Sequence, residues 1–136
     1  MKPGPSRADR LRAIAALLER GVYGAGAEES AMKKFLDGDA LAERRRRILD
    51  RWEPLRSRVR AQLIPFEELR KAFALVGAPA DPRDIALNEA QFRHGIMTAQ
   101  LIRTRYSILD VLFELGLLEE AADAAAKRLF GAANPS

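Results

Sequence analysis

The sequence has no cysteine and a single histidine, His94. The absence of cysteine excludes disulfide bonds, thiolate metal sites and a cysteine nucleophile. A catalytic triad or an imidazole-based metal site would depend on His94 alone, and the side chains one helical turn from it, including Gln91 and Thr98, are weak metal ligands. We therefore interpret His94 as a surface or partly buried histidine with a backbone partner, and we assign no catalytic and no metal-binding residue.

Long hydrophobic runs and a nucleotide-binding loop are also missing. No apolar run approaches the roughly 18 residues that cross a bilayer. Residues 1–10 are too polar for a secretory signal, so we expect a cytoplasmic protein without a membrane span. Gly24 and Gly26 lack both a preceding strand and the next glycine of a dinucleotide-binding fingerprint. We therefore assign no cofactor-binding residue and expect no cofactor in this chain.

What the sequence does contain is a helical pattern throughout. Hydrophobic residues make up 48% and charged residues 31% of the 136 residues, which is typical of a folded globular domain. Apolar residues recur at intervals of three and four, and no segment alternates as a strand does. We predict an all-α bundle of about five to seven helices, which forms one domain over residues 6–130 between flexible tails at 1–5 and 131–136.

Capping and breaking residues predict several helix boundaries in the first half of the chain. Ser6 followed three residues later by Asp9 resembles a capping box at the start of a helix. Gly21 is a plausible end for that helix. Pro54 removes a backbone donor and crowds the preceding turn, so it predicts a kink or break near Trp52.

In the second half, Asn88 predicts the start of a helix that continues to Tyr106. Ser107 and Asp110 have capping-box spacing, so either a new helix begins there or the preceding one continues. Almost every residue of the segment 108–115 is apolar, and we expect this segment to be central in the core.

Basic residues are concentrated in the first half of the chain. Residues 1–60 carry 15 Lys/Arg against nine Asp/Glu, whereas residues 61–136 carry eight against ten. The excess centres on the run from Glu43 to Arg47. Such a run either neutralises nucleic-acid phosphates or forms a solvated helix face with intrahelical ion pairs. Glu43 stands four residues from Arg47 and no aromatic residue is interleaved for base stacking, so we favour the solvated face and do not expect nucleic-acid binding.

Arg103 and Arg105 directly precede the most apolar segment. Guanidinium groups bind phosphates and carboxylates through paired hydrogen bonds. They can equally cap a backbone carbonyl or pair with a nearby acid such as Asp110. We assign these two arginines a structural contact, with phosphate binding as the alternative.

Five segments carry a family resemblance when they are taken in order. They are WEPLR at 52–56, PFEELR at 65–70, VGAPADPRDI at 76–85, IRTRYSILDVL at 102–112 and ELGLL at 114–118. Together they resemble the C-terminal end of bacterial sn-glycerol-1-phosphate dehydrogenase-like proteins, which belong to the iron-containing alcohol dehydrogenase superfamily. The similarity extends over about residues 22–120 and is strongest over 52–118.

The resemblance implies a two-domain enzyme in which an N-terminal α/β domain binds NAD(H) or NADP(H). A helical C-terminal domain holds a divalent metal, zinc or nickel, through one aspartate and two histidines. The metal polarises a carbonyl during hydride transfer between dihydroxyacetone phosphate and sn-glycerol 1-phosphate. This chain starts after the cofactor domain and after the metal ligands of the family, and His94 matches neither ligand histidine. No catalytic residue is therefore carried over, and Arg103 and Arg105 match only a basic motif.

Three functional hypotheses follow, in decreasing order of preference. The chain is the C-terminal portion of a truncated or split dehydrogenase, inactive alone, which binds a separate chain carrying the cofactor- and metal-binding part. Alternatively, it is a non-catalytic interaction module, such as a homodimer, or a basic nucleic-acid-binding protein. In the first two cases we expect an apolar surface for the partner, lined by Trp52, Leu55, Ile108, Leu112 and Phe113.

Overall fold

The structure is a computed structural model that describes residues 4–18 and 26–131, and over those ranges it is helical without a strand. Its eight α-helices there are α1 (Arg7–Leu18), α2 (Ala27–Lys34), α3 (Gly38–Asp50), α4 (Trp52–Gln62), α5 (Phe66–Leu75), α6 (Glu89–Ala99), α7 (Ile108–Leu115) and α8 (Leu118–Phe130), and a short 3-10 helix covers Pro82–Ile85. The predicted all-α fold is confirmed. The helix end predicted at Gly21 lies outside the described residues.

Side chains cap two helices at the predicted positions. At the start of α1, the Asp9 backbone N–H donates to the Ser6 hydroxyl at 3.2 Å, and that hydroxyl donates to the Asp9 carboxylate at 2.6 Å. At the start of α6, Asn88 and Gln91 exchange two hydrogen bonds of 2.9 Å between side chain and backbone. Each pair satisfies backbone donors that the first helical turn leaves free.

Two further boundaries follow from local chemistry. The Ser107 backbone N–H and hydroxyl both donate to the Asp110 carboxylate, at 2.7 and 2.9 Å, so Ser107 starts a new helix. The predicted break near Trp52 is confirmed, because α3 ends at Asp50 and α4 begins at Trp52. Pro54 therefore lies in the first turn of α4, where its missing backbone donor has no intrahelical acceptor to lose.

The helix that begins after Asn88 is shorter than predicted. It ends at Ala99, and the residues up to 107 form a loop, so the prediction that it continues to Tyr106 is wrong. Tertiary contacts account for the difference: Leu101 is fully buried, and the Gln100 carbonyl accepts a hydrogen bond from the Lys34 ammonium at 2.7 Å. Both contacts need the chain to leave the helical path at this point.

The apolar core lies between α1, α2 and the loop after α6. Ile14, Ala31 and Leu101 form its buried centre, and α6 packs against both α1 and α8. The buried residues of α8 recur at intervals of four: Leu118, Ala122 and Ala126. Because two of these three are alanine, α8 can approach its neighbours closely.

Helix α7 packs against α3 and α8, and its buried residues are not only apolar. Asp110, Val111 and Glu114 are buried, whereas Ile108 is 59% exposed. The apolar pattern of the segment did not predict the burial of the two carboxylates. Carboxylates tolerate burial when cations and hydrogen-bond donors reach them, and neighbouring elements supply such groups to both acids.

The two buried carboxylates of α7 connect it to the elements around it. Asp110 forms an ion pair with Lys34 of α2 at 2.6 Å. Glu114 forms an ion pair with Arg44 of α3 at 2.8 Å, and it accepts a hydrogen bond from the Tyr106 hydroxyl at 2.7 Å. We call these residues the α7 network: it joins α2, α3 and the loop after α6 to one helix.

We predict that Lys34→Ala destabilises the fold by about 3 kcal/mol, because it leaves the Asp110 carboxylate buried without its cation. The side chains of that pair are only 9% and 7% exposed. Urea denaturation followed by circular dichroism measures the change. Lys33→Ala is the matched control, since Lys33 is the adjacent residue and forms only an exposed pair with Glu29. An equal decrease in the free energy of unfolding for the two variants would contradict the importance of the buried pair.

Candidate interaction surface

Helices α4 and α5 stand apart from the packed helices. Neither contains a buried residue. The main helix–helix contacts of the described part of the chain join α6 with α8, α7 with α8, α1 with α6, α1 with α2 and α3 with α7. One contact near the start of α5 is aromatic: the guanidinium of Arg128, on α8, lies 5.7 Å from the ring centre of Phe66. The chain therefore forms α4 and α5 without burying either of them.

The exposed sides of α4 and α5 carry large apolar residues at helical spacing. On α4 and just after it these are Leu55, Val59 and Leu63, and on α5 they are Phe66, Leu69 and Phe73. We call these six residues the α4–α5 face. Each is at least 39% exposed. Apolar surface displayed in patches beyond a few hundred Å² is typical of a protein-binding site.

The residues expected to line a partner surface divide into two groups. Leu55 and Ile108 are exposed, whereas Trp52, Leu112 and Phe113 are half-buried. Phe113 is covered by the guanidinium of an α1 residue, Arg10, at 3.8 Å from its ring centre. The exposed apolar surface thus lies mainly on α4 and α5, where the sequence analysis places only Trp52 and Leu55.

A second surface feature crosses the break between α3 and α4. It is a groove of about 520 Å³ lined by Arg44, Arg47, Ile48, Arg51, Pro54, Leu55 and Arg58. These positions are three or four residues apart, so they share one face across both helices. We call it the basic groove. Its lining contains four guanidinium groups and no carboxylate.

The basic run is only partly neutralised within the chain. Arg46 pairs with Glu43 rather than with Asp50, at 2.5 Å, and Arg47 approaches Glu43 at 3.7 Å. Arg44 is held by Glu114. The interpretation of the run as a helix face with intrahelical pairs therefore applies to Arg46 and Arg47. The basic groove is lined by guanidinium groups from both α3 and α4.

Arg103 and Arg105 lie exposed in the loop between α6 and α7. With Ser30 and Thr104 they line a shallow depression of about 390 Å³. They do not pair with Asp110, because Lys34 occupies that carboxylate. The suggested pairing with Asp110 is thus wrong, and both arginines stay candidates for a structural or phosphate contact on this loop.

His94 is half-buried on α6. Its ring nitrogen Nε2 is buried without a hydrogen-bond partner in the described structure, so the expected backbone partner is absent at that atom; its own carbonyl accepts from the Thr98 hydroxyl at 2.8 Å. Over residues 4–18 and 26–131, no three histidine or carboxylate side chains come together as a metal site. No helix in those ranges is long and apolar enough to cross a membrane.

Burial changes the electrostatics of two residues near the α7 network. Partial burial, followed by the hydrogen bond to Glu114, raises the pKa of Tyr106. Burial lowers the pKa of Arg10 to about 10, against the opposing effect of the Asp110 charge. The sequence analysis missed the role of Glu114. The signal for it is the spacing of four residues between two acids in an otherwise apolar segment, which places both on one side of α7.

No family model, curated protein or solved structure matches this chain.

We predict that Tyr106 ionises well above the ordinary tyrosine pKa of 10.0. Because the folded state binds the Tyr106 proton more tightly than the unfolded state does, the contribution of this proton to the free energy of unfolding is present below pH 10. It is lost as the pH rises above 10. Alkaline titration of the phenolate absorbance in a Tyr23→Phe variant reports Tyr106 alone, because the chain has two tyrosines. Adding Glu114→Gln should move the midpoint down towards 10, and an unchanged midpoint would exclude Glu114 as a cause.

Proposed function

We propose that this chain is the C-terminal helical portion of a sn-glycerol-1-phosphate dehydrogenase-like oxidoreductase and that it acts by docking onto a separate polypeptide. In this proposal the partner carries the NAD(P)-binding and metal-binding part, with zinc or nickel as the family's metal. The chain supplies no catalytic group. Its contribution is to cover and position helices of the partner.

The observation that supports docking is the α4–α5 face. Two consecutive helices display Leu55, Phe66, Leu69 and other large apolar side chains to solvent, although the other described α-helices pack against one another. Burying such side chains in an interface contributes about 25 cal/mol per Å² before the costs of association are subtracted. The resemblance supports the identity of the partner, since the matching segments extend from residue 52 through both helices.

We predict no hydride transfer by the chain alone with dihydroxyacetone phosphate and NADH or NADPH. Turnover should appear when the chain is mixed with a sn-glycerol-1-phosphate dehydrogenase from which the corresponding C-terminal helices have been deleted. Oxidation of the nicotinamide is followed by absorbance. Leu69→Asp, at the centre of the α5 stripe, should prevent the recovery because it puts a charge into the interface.

The control for that experiment is Leu75→Asp, the same substitution on the opposite side of α5. Leu75 is 87% exposed and lies outside the α4–α5 face, so recovery should persist. Turnover by the chain alone, or recovery that is equally insensitive to both substitutions, would refute the proposed role of this face.

A second candidate function is self-association through the α4–α5 face. Its large apolar residues are exposed to solvent. In a two-fold dimer the same surface contributes from both copies, so one pairing would bury this face on each of them. This arrangement uses the α4–α5 face without any other polypeptide.

Sedimentation velocity over a concentration series tests this alternative. If the chain is a dimerisation module, its sedimentation coefficient should rise with concentration, and Leu69→Asp should hold it at the monomer value while Leu75→Asp leaves the rise unchanged. If the chain is a monomer at every concentration, the homodimer is excluded and the docking proposal is unaffected.

A further inference from the structure

We infer that the basic groove binds an acidic amphipathic α-helical segment of a partner protein. The inference rests on the proposed function in one respect, that the chain acts by binding another polypeptide. It adds a second contact surface, which adjoins the α4–α5 face at Leu55, and the chemistry of the segment that occupies it. Both are independent of which enzyme family the partner belongs to.

The groove is formed by two helices. Its lining comes from α3 and α4, from Arg44 to Arg58. The backbone at Arg51, with φ −110° and ψ 13°, interrupts the two helices in the middle of this lining. Helix-in-groove recognition uses depressions that are formed between helices in this way.

The charge of the groove favours an anionic occupant. Arg51 and Arg58 form no ion pair or side-chain hydrogen bond within the described part of the chain. Arg47 is paired with Glu43 of its own helix at 3.7 Å. Arg44 is fixed at one end, between Glu114 and the ring of Tyr106, which lies 5.1 Å away. Two guanidiniums thus remain available for carboxylates, those of Arg51 and Arg58.

The apolar part of the lining distinguishes a protein segment from a nucleic acid. Ile48, Pro54 and Leu55 lie among the arginines in the same depression. They match apolar side chains that recur every three or four residues on a helix. No aromatic side chain lines the groove to stack on a base. An amphipathic helix with leucines on one side and flanking glutamates satisfies both the apolar residues and the guanidiniums.

The test uses fluorescence anisotropy with the full chain and a labelled helical peptide of about 15 residues. The peptide carries leucine at intervals of three and four and glutamate elsewhere, and a scrambled peptide of the same composition is the control. We expect the amphipathic peptide to bind more tightly than the scrambled one, with affinity that falls as salt concentration rises. Duplex DNA is titrated as a competitor.

Variants locate the binding site. The double variant Arg51→Glu, Arg58→Glu should weaken peptide binding about tenfold or more, because it reverses two charges that face the glutamates. Arg60→Glu is the matched control, since Arg60 is on α4 but does not line the groove; it should change affinity less than about twofold. Should the double variant fail to fold by circular dichroism, Arg58→Ala and Arg60→Ala make the same comparison with exposed single substitutions.

The inference would be overturned if the scrambled peptide bound as tightly as the amphipathic one, or if the groove and control variants lost the same peptide affinity. It would also be overturned if DNA displaced the peptide at lower concentration than unlabelled peptide does, because the groove would then be a nucleic-acid site. Leu69→Asp should leave peptide binding intact. Failure of the docking proposal, measured with that variant, is therefore distinguishable from failure of this one.

Discussion

Two carboxylates buried on one helix constrain the arrangement of this protein. Asp110 and Glu114 lie one turn apart on α7, and each is at most 6% exposed. Carboxylates buried without partners are costly, so Lys34 and Arg44 must reach them. That requirement positions the end of α2, the middle of α3 and the loop after α6 relative to α7. Lys34 also donates to the Gln100 carbonyl, just after the end of α6.

The same network helps to position the two candidate surfaces. Arg44 is held between Glu114 and Tyr106, and α3 runs from this anchor towards α4. The basic groove begins at the anchored arginine and follows α3 across the break at Arg51. Beyond it, α4 and α5 contribute no buried residue. The packed part of the described structure therefore leaves two consecutive helices exposed to solvent.

The difference in burial between the packed helices and α4–α5 has an energetic consequence. Ile14 and Leu101 are fully buried, and α8 buries mainly alanine, so the core is modest and depends in part on the polar α7 network. The residues of the α4–α5 face gain little from folding of the isolated chain, because they stay in contact with water. In the proposed function, association with another polypeptide would bury them.

The sequence by itself determined the helical class and most helix boundaries, because these depend on residues within four positions of one another. The capping pairs of Ser6 and Asn88, and the break before Pro54, are of this kind. It did not determine that Asp110 and Glu114 are buried, that α6 ends at Ala99, or that the α4–α5 face stays exposed. Of the candidate surfaces, it indicated the basic run and one residue of the α4–α5 face, Leu55. The remainder depends on partners that lie far away in sequence, as Lys34 does from Asp110, and only the tertiary structure brings those groups together.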